Sequence, residues 1–170
     1  MIASGRHVAE RLALRSGIGY DSHRFAPGGP LVLGGVRIAA DVHLHGHSDG
    51  DAIAHAVTDA VLGAAAVGDI GEMFADTDAA NAGRDSIEML RLAAGRVHDA
   101  GWRVGQVDVV VIAETPKIAP HREAMRIRLA DALGCAAADV SVKGKTNEGM
   151  GFVGRGEGIA CIATATLHPA

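Results

Sequence analysis

Residues able to bind a metal or move a proton are concentrated in one short segment, residues 47–55, which reads HSDGDAIAH. The segment holds two histidines and two aspartates and leads directly into apolar residues with helical spacing. Imidazoles and carboxylates are zinc ligands and general acid–base groups, and the start of a helix favours a bound phosphate. Asp21 and His23 add another carboxylate and imidazole upstream. Together these residues predict a metal-assisted reaction at a phosphate group.

Asp21, His23 and His55 are candidates for a three-ligand zinc site. In a strand, side chains two residues apart point to the same face, so Asp21 and His23 can converge on one ion. His55, one turn into the following helix, can complete the set and leave a fourth position for a substrate oxygen. Asp59, one turn further on, is a candidate partner for the ring of His55. The alternative is structural: His23 stabilises a loop, and His55 is a buried histidine with satisfied hydrogen bonds.

A glycine-rich segment near the C-terminus, residues 143–158, has the composition of a phosphate-binding loop. Its glycines allow backbone N–H groups to approach a ligand closely. Lys145 and Thr146 supply a charge and a hydroxyl. Glu148 can hold Mg²⁺, and Arg155 can bind a phosphate through two hydrogen bonds. The order of Gly, Lys and Thr does not match a Walker loop, and a flexible hairpin without a ligand is the alternative.

Three shorter segments are weaker candidates. His47 and Ser48 can donate hydrogen bonds to a phosphate oxygen, or else form a helix cap beside an exposed histidine. Residues 68–78 carry four carboxylates, which suit substrate hydroxyls or a hard cation; an ordinary solvated acidic loop fits equally well. Residues 113–117 follow an apolar strand, a common position for a ligand-binding loop.

The composition indicates one globular domain. The chain has 170 residues, of which 48% are hydrophobic, enough for a substantial core. A formal net charge of −4 and an aromatic content of 3% argue against a nucleic-acid-binding surface. We assign residues 1–14 to an N-terminal extension without a secretory signal, and residues 15–170 to a single catalytic domain.

Cysteine usage and hydropathy suit a cytoplasmic protein. Cys135 and Cys161 have mainly apolar or alanine-rich neighbours in the sequence, which favours buried free thiols in a reducing cytosol. The sequence has no run of about 18 apolar residues, so we expect no membrane-spanning helix.

The order of apolar patterns predicts an α/β fold of the α+β type. It fits a two-layer sandwich, with one mixed β-sheet, helices packed on one face, and a small β-hairpin at Gly34-Gly35. The first strand, residues 16–20, is expected to end at Asp21. The first helix, residues 51–67, has Ser48 or Asp49 as its candidate N-cap.

That first helix is apolar around most of its circumference, so we expect it to be buried on several sides. Asp51, His55 and Asp59 nevertheless form a polar stripe along it, four residues apart. A charged stripe on a buried helix must be paired, coordinated or placed at an opening.

Taken together, these motifs resemble one enzyme family, the 2-C-methyl-D-erythritol 2,4-cyclodiphosphate synthases of the non-mevalonate isoprenoid pathway. The resemblance covers about Arg15 to the C-terminus, and the order and spacing of so many motifs is specific. The matching segments are GYDSHRF (19–25), HSDGD (47–51) with His55, Asp59 and LGA (62–64), GDIG (68–71) through DTD (76–78), and GRGEG (154–158).

The resemblance implies a reaction and its metals. The substrate is 4-diphosphocytidyl-2-C-methyl-D-erythritol 2-phosphate; its 2-phosphate attacks the β-phosphorus, CMP leaves, and a cyclic diphosphate forms. Asp21, His23 and His55 would bind Zn²⁺. Glu148 would hold Mg²⁺ or Mn²⁺ between the α- and β-phosphates.

The resemblance also implies roles for the remaining site residues. His47 and Thr146 would stabilise the transition state. The residues implied to contact substrate are Asp21, His23, His47, Ser48, Asp69, Gly71, Phe74, Asp76, Thr77, Asp78, Ala113, Pro116, Lys117, Lys145, Thr146, Glu148, Phe152 and Arg155. The family is homotrimeric with sites between neighbouring subunits, so we expect a homotrimer without nucleic-acid or membrane partners.

Composition by itself leaves two other functions open. A zinc phosphohydrolase would use the same ligands with a metal-bound water as the nucleophile. A non-catalytic metal- or nucleotide-binding protein would bind zinc and CMP and leave the substrate unchanged. The products of the reaction distinguish these possibilities.

Overall fold

The computed structural model describes residues 13–170. The predicted N-terminal extension, residues 1–14, therefore lies outside the described residues except for its last two positions. The described strands are β1 (Arg15–Pro27), β2 (Leu31–Leu33), β3 (Val36–Ile38), β4 (Val42–Leu44), β5 (Trp102–Ile112), β6 (Val140–Lys145) and β7 (Gly158–Pro169). The described helices are α1 (Ala52–Ala65), α2 (Ile70–Met73), α3 (Ser86–Asp99), α4 (Arg122–Leu133) and α5 (Gly151–Gly154), with 3-10 turns at Ala79–Asn81, Ala119–His121 and Ala137–Asp139.

Five strands form a mixed sheet in the order β4-β1-β7-β5-β6. Neighbouring strands are antiparallel except for β5 and β6, which run parallel. The separate hairpin of β2 and β3 turns at Gly34 and Gly35, whose positive φ angles of 56° and 72° suit glycine. The predicted mixed sheet with a small hairpin is therefore confirmed. β4 was not predicted: it is as short as β2 and β3, but no Gly-Gly turn joins it to a neighbouring strand.

Helix α1 lies against β1 and β7 at the centre of the molecule. Two glycines on the helix side of β1 allow this approach: a Cβ atom at Gly19 would lie 1.9 Å from the carbonyl oxygen of Ala56, and one at Gly17 would lie 2.2 Å from that of Ala60. Because glycine has no Cβ, the helix backbone packs directly on the strand. This close packing brings His55 of α1 beside the side chains of β1.

The residue that caps α1 is Asp51. Its Oδ1 atom accepts hydrogen bonds from the N–H groups of the second and third helical residues, each at 3.1 Å. Its carboxylate oxygens also accept hydrogen bonds from the N–H groups of Gly34 at 2.8 Å and Gly35 at 2.6 Å. Burial raises the pKa of Asp51, and these donors act against that rise. The expected cap, Ser48 or Asp49, was wrong, because Asp51 occupies this position and also fastens the β2–β3 hairpin to the helix.

The helices α1, α3 and α4 pack on one face of the sheet, and no described element covers the other face. Ile18 and Tyr20 of β1 lie on that second face and are 69% and 56% exposed. On the helix side, Cys161 and Ala163 of β7 are fully buried. The two-layer architecture is thus confirmed, with an uncovered sheet face that carries apolar side chains.

Two further features bear on the sequence-based expectations. Both cysteines are free; Cys161 is buried and Cys135 is only half-buried. Burial raises the pKa of the Cys161 thiol well above its ordinary value. Within residues 13–170, none of the helices combines the length and apolar character needed to cross a membrane.

Candidate functional site

Three side chains converge beside the first turn of α1 with the spacing of metal ligands. The Oδ2 atom of Asp21 lies 2.9 Å from Nε2 of His23 and 3.1 Å from Nδ1 of His55, and the two nitrogens are 3.2 Å apart. Ligand atoms bound to one tetrahedral zinc ion at roughly 2.0–2.1 Å lie about 3.3 Å from one another. The three atoms therefore match one face of a zinc coordination tetrahedron, and they form the candidate metal group found within the described part of the chain.

Strand β1 holds two of these ligands on the helix side of the sheet. Asp21 and His23 are two residues apart and share a face. The expectation that the strand ends at Asp21 was wrong, because β1 continues to Pro27, pairing with β7 as far as Arg24 and with β4 beyond. The backbone of both ligands is therefore fixed within a strand.

Hydrogen bonds behind the two rings determine which nitrogen faces the cluster. Nδ1 of His23 lies 2.7 Å from the carbonyl oxygen of His45, so this nitrogen carries the proton and Nε2 offers a lone pair. Nε2 of His55 lies 2.9 Å from Oγ of Ser86 and 3.0 Å from Oγ of Ser48. Nδ1 of His55 is then the atom that faces Asp21.

The polar stripe along α1 is engaged over its whole length, as a buried helix requires. Asp51 caps the helix, His55 joins the cluster, and Asp59 accepts a hydrogen bond from the N–H group of Ile70 at 2.8 Å. Burial raises the pKa of Asp59, and the Ile70 donor offsets part of that rise. Asp59 thus holds the start of α2, instead of supporting the ring of His55 as expected from the sequence.

The cluster shifts the pKa values of its members in opposite directions. Burial raises the pKa of Asp21, but hydrogen bonds and charge from His23 and His55 outweigh burial and lower it from 3.8 to about 2. Burial lowers the pKa of His23, but the hydrogen bond and charge of Asp21 outweigh burial and raise it above its ordinary value of 6.5. Asp21 is therefore an anion at neutral pH, as a cation ligand must be.

The cluster opens into a cavity of about 200 Å³. The predicted residues that line it are Asp21, His23, His47, Ser48, His55, Gly71, Phe74 and Asp76. Ile70, Asn81 and Met89 also line the cavity and were not predicted. Apolar and amide side chains carry no chemical signal in a sequence. Only the placement of α2, of the 3-10 turn Ala79–Asn81 and of the first turn of α3 brings them here.

Three residues of the predicted substrate loop, Asp69, Thr77 and Asp78, are not among those that line this cavity. Asp69 caps α2: its Oδ1 atom accepts a hydrogen bond from the backbone N–H group of Glu72 at 2.7 Å. Asp78 caps the following 3-10 turn in the same way at 3.0 Å. The structure therefore gives two of them a capping role, and their contact with substrate stays a prediction.

A second cavity, of about 220 Å³, lies between the ends of β5 and β6 and the start of α4. The predicted residues that line it are Ala113, Pro116, Lys117, Lys145 and Thr146. Arg122 also lines it and was not predicted, because it belongs to a helix rather than to the predicted loop. Three cationic side chains meet here in a chain of net negative charge, which suits a diphosphate.

The other predicted residues of the glycine-rich segment, Glu148, Phe152 and Arg155, line neither cavity. The carboxylate of Glu148 accepts a hydrogen bond from the hydroxyl of Thr146 at 2.6 Å. Nε of Arg155 donates to Glu157 at 2.6 Å. All three side chains are exposed. In the single chain, Glu148 and Arg155 bond only to neighbouring residues of the same segment.

Glu114 anchors this segment, and sequence reasoning did not single it out. Its Oε1 atom accepts hydrogen bonds from the N–H groups of Asn147 at 3.0 Å and Gly149 at 3.2 Å. Glu148, between those two residues, has a positive φ of 51°. The position of Glu114 directly after a buried strand was the available signal, because such loops commonly carry functional groups.

The two cavities lie at the same end of the sheet but against different strands. Asp21 pairs with Cys161, Cys161 pairs with Val111, and Val111 pairs with Gly144. Neighbouring strands are about 4.8 Å apart, so these three steps separate β1 from β6 by about 14 Å. Within one chain, the metal-type cluster and the glycine-rich segment do not share a cavity.

The chain matches a family model and close relatives over nearly its whole length. The model of the YgbB family matches residues 14–168. The 2-C-methyl-D-erythritol 2,4-cyclodiphosphate synthase of Gemmatimonas aurantiaca is 66% identical over 156 residues, which cover 92% of this chain and 94% of that protein. The synthase of the same name from Pectobacterium atrosepticum is 55% identical over 154 residues, covering 91% and 93%.

Solved structures show the same fold. IspF of Plasmodium falciparum, in a CDP complex, superposes with a TM-score of 0.81 at 35% identity, covering 93% of this chain and 97% of that one. A 2C-methyl-D-erythritol-2,4-cyclodiphosphate synthase in its CDP-bound form gives 0.82 at 37% identity, covering 90% and 99%. The bifunctional IspDF from Campylobacter jejuni gives 0.90 at 39% identity; 93% of this chain is covered, but only 43% of that longer protein.

Proposed function

This chain belongs to the YgbB family, and from that premise we propose which of its residues carry out the cyclisation. The enzyme is a lyase of isoprenoid biosynthesis. It converts 4-diphosphocytidyl-2-C-methyl-D-erythritol 2-phosphate into 2-C-methyl-D-erythritol 2,4-cyclodiphosphate and releases CMP.

The reaction sets the demands on the site. An oxygen of the 2-phosphate attacks the β-phosphorus, and a new P–O bond forms. The bond from the β-phosphorus to the oxygen that bridges to the α-phosphorus breaks, and its electron pair leaves with CMP. Because the reacting groups are both anionic, the protein must offset charge and hold the substrate folded, and such positioning can contribute roughly 7–11 kcal/mol. No protein nucleophile is needed, so positioning and electrostatics carry the catalysis.

The observation that carries the proposal is the triangle of Asp21, His23 and His55. One anionic oxygen and two imidazole nitrogens are donors that zinc accepts, and their spacing fits a tetrahedral ion. When bound, Zn²⁺ at this triangle and Mg²⁺ or Mn²⁺ at Glu148 supply Lewis-acid polarisation and charge neutralisation at the phosphates. The three residues that would hold zinc line the 200 Å³ cavity, so a substrate phosphate bound in that cavity would lie beside them.

We place the methylerythritol end of the substrate in that same cavity. His47 is exposed at its rim and can donate a hydrogen bond to a phosphate oxygen in the transition state. The carboxylate of Asp76 can accept from a substrate hydroxyl, and Ser48, Gly71 and Phe74 complete the surface. Substrate contacts from Asp69, Thr77 and Asp78, on the same segment, belong to this proposal.

We place the cytidine diphosphate end in the second cavity. Two of the related structures contain CDP, and the cavity has the positive charge that a diphosphate needs. Lys145 and Thr146 can donate to its oxygens, and Thr146 would stabilise the transition state. Ala113, Pro116 and Lys117 form the wall toward the nucleoside. Phe152 and Arg155 would close the site from the glycine-rich segment, beside the cation held by Glu148.

A homotrimer would unite the two half-sites. About 14 Å of sheet separates the metal cluster from the glycine-rich segment within one chain, so each would serve a site completed by a neighbouring subunit. The uncovered sheet face, with Ile18 and Tyr20 exposed, offers an apolar surface for subunit contact. We further propose a cytoplasmic location, where Cys135 and Cys161 would stay reduced, and one catalytic domain over residues 15–170.

Product analysis tests the catalytic proposal. The purified enzyme with Zn²⁺ and Mg²⁺ is incubated with its substrate and followed by phosphorus NMR. We expect CMP and a cyclic diphosphate in equal amounts, and no reaction after removal of both metals by a chelator. Inorganic phosphate or an open-chain product would favour a zinc phosphohydrolase, and unchanged substrate would favour a binding protein.

Subunit mixing tests the shared site. His55→Ala removes a ligand of the metal half, and Thr146→Ala alters the other half. We expect each site to combine halves from two subunits. In an equal mixture of the two variants, reassembled at random, about a quarter of the sites should then have both halves intact, and activity should return in that proportion. Sites contained within single chains would regain no activity on mixing, and light scattering checks that the assemblies have three times the chain mass.

A further inference from the structure

We propose that Asp49 and Ser86 are positioning residues for the metal site, forming a hydrogen-bonded chain that fixes the tautomer and the ring orientation of His55. The inference rests on the proposed role of His55 as a zinc ligand. The sequence marked Asp49 only as one carboxylate of residues 47–55 and as a candidate helix cap, and it indicated no role for Ser86. Neither residue lines the cavity of the cluster.

The three groups lie in line behind the cluster. Oγ of Ser86 is 2.5 Å from Oδ1 of Asp49 and 2.9 Å from Nε2 of His55. A carboxylate can only accept hydrogen bonds, so the hydroxyl of Ser86 donates to Asp49. The lone pairs of that hydroxyl are then left to accept from Nε2 of His55. This direction places the imidazole proton on Nε2 and leaves the lone pair of Nδ1 facing Asp21, as metal binding requires.

Ser48 is also close to the ring, but it does not impose a tautomer. Its Oγ atom lies 3.0 Å from Nε2 of His55 and is 3.4 Å from Oγ of Ser86. A hydroxyl that is not committed to a carboxylate can either donate or accept. The chain through Ser86 is therefore the one that selects the tautomer, because it ends on an acceptor-only group.

The chain is anchored at both ends. Asp49 accepts further hydrogen bonds from the backbone N–H of Ser86 at 3.2 Å and from that of Asp51 at 3.1 Å. Ser86 is fully buried, so water does not replace its hydroxyl. These contacts fasten the segment before α1 to the first residue of α3, and His55 lies at their junction.

A purely structural role would be to cap α3, but another residue already does this. Oδ1 of Asp85 accepts hydrogen bonds from the N–H groups of Ile87 at 2.8 Å and Glu88 at 3.2 Å. Asp85 is exposed, and its side chain bonds to the backbone of α3 and not to the cluster. It therefore provides a matched control: a side chain at the same helix end, one residue away, that does not bond His55.

The test measures zinc affinity by competition with a chromogenic chelator, using the full-length chain. Metal ligands that lose their outer hydrogen-bond partner typically bind about 10- to 100-fold more weakly, and we expect at least the lower figure for Ser86→Ala and Asp49→Ala. Asp85→Ala should lower thermal stability and leave the zinc affinity as in the wild type. Because the two residues act in series, adding Asp49→Ala to Ser86→Ala should weaken binding by less than about twofold further.

A second readout reports the tautomer without any metal. In protein with ¹⁵N-labelled histidine, long-range proton–nitrogen correlation should show His55 protonated on Nε2 in the wild type and in Asp85→Ala. Ser86→Ala should show a mixture of tautomers. A wild-type zinc dissociation constant and an unchanged tautomer in Ser86→Ala would overturn the inference. Absence of zinc binding by the wild type would instead overturn the metal site itself, so the two failures are distinguishable.

Discussion

The Asp21–His23–His55 cluster and the glycine-rich segment, residues 143–158, are two candidate functional regions built in opposite ways. The cluster draws its ligands from β1 and α1, far apart in sequence, and the rings of His23 and His55 are each held by a hydrogen bond to a further segment. The glycine-rich segment is continuous in sequence, and its charged side chains are exposed. Glu148 and Arg155 bond to neighbours within the segment. One region is assembled before any ligand arrives, whereas the other keeps its groups on the surface.

The difference agrees with the ligands proposed for the two regions. Metal affinity depends on fixed ligand spacing, so the cluster sits where strand and helix backbones are in direct contact. A diphosphate that enters and leaves with every turnover needs groups that can change partners. The bond from Thr146 to Glu148 can be exchanged for bonds to substrate and cation. Rigid assembly and exchangeable contacts are thus divided between the two halves of the site.

The largest effect should come from removing one of the three candidate zinc ligands of the cluster. His55→Ala should lose zinc and reduce turnover by on the order of 1,000-fold or more, because Lewis-acid stabilisation is worth several kcal/mol. Metal analysis measures the zinc content and steady-state kinetics measure the turnover. The mass of the assembly should stay unchanged. His98→Ala, at an exposed position of α3, is the control. Zinc at wild-type stoichiometry in His55→Ala would contradict the ligand assignment.

The next effect should come from the packing that assembles the cluster. A methyl group at Gly19 would collide with the carbonyl oxygen of Ala56, so Gly19→Ala should lower the free energy of unfolding by about 1–3 kcal/mol and weaken zinc binding with it. Urea unfolding measures the free energy of unfolding, and competition with a chelator measures the zinc affinity. Gly95→Ala, in α3, meets no atom within 4 Å and should be neutral or stabilising. Normal zinc affinity in Gly19→Ala would show that the cluster tolerates displacement of the helix.

A smaller effect should follow from a substitution in the glycine-rich segment. Glu148→Gln should raise the Mg²⁺ concentration needed for half-maximal rate by about tenfold, since a neutral amide replaces a carboxylate ligand. Zinc content should not change, because Glu148 is not one of the three candidate zinc ligands. Glu88→Gln, on α3, serves as the matched control. An unaltered Mg²⁺ titration in Glu148→Gln would remove this residue from the proposed metal site.

A smaller effect still should follow from loosening the loop at residues 147–149 without changing its proposed functional groups. Glu114→Ala removes the acceptor of two backbone hydrogen bonds, and we expect KM to rise by about fivefold as the loop loses its fixed position. Glu114→Gln keeps an oxygen acceptor and should recover most of the affinity. Equal KM values in the alanine variant and the wild type would show that the loop holds its shape by itself.

The smallest effect concerns pH in the metal-free protein. The pKa of Asp21 lies at about 2 instead of 3.8, so its ionisation stabilises the fold above pH 3.8, and this contribution disappears as the pH falls toward 2. The stability difference between wild type and Asp21→Asn, measured by urea unfolding in the presence of a chelator, should shrink by about 1 kcal/mol between pH 5 and pH 3. A constant difference would show that the pKa of Asp21 is not depressed.

Local patterns were sufficient to predict the main elements and several of the site residues. The first helix appears where its apolar periodicity placed it, and His55 lies one helical turn after the start of α1. The extension of β1 to Pro27 was missed, because residues 21–24 (DSHR) are all polar and the sequence there shows no alternation of apolar and polar residues. The cap at Asp51 was missed because its other partners, Gly34 and Gly35, come from a hairpin distant in sequence.

The sequence by itself determined the chemical inventory: a metal-type set of Asp21, His23 and His55, a cationic glycine-rich segment, and the two-layer fold that carries them. These features are set by residue type and by local periodicity, which act over one or two turns of chain. Only the tertiary structure decided that Gly17 and Gly19 admit the helix backbone, that Asp59 holds α2, and that the two half-sites are separated by the width of three strand spacings. Such contacts depend on which surfaces meet when the apolar faces are buried, and no single segment contains that information.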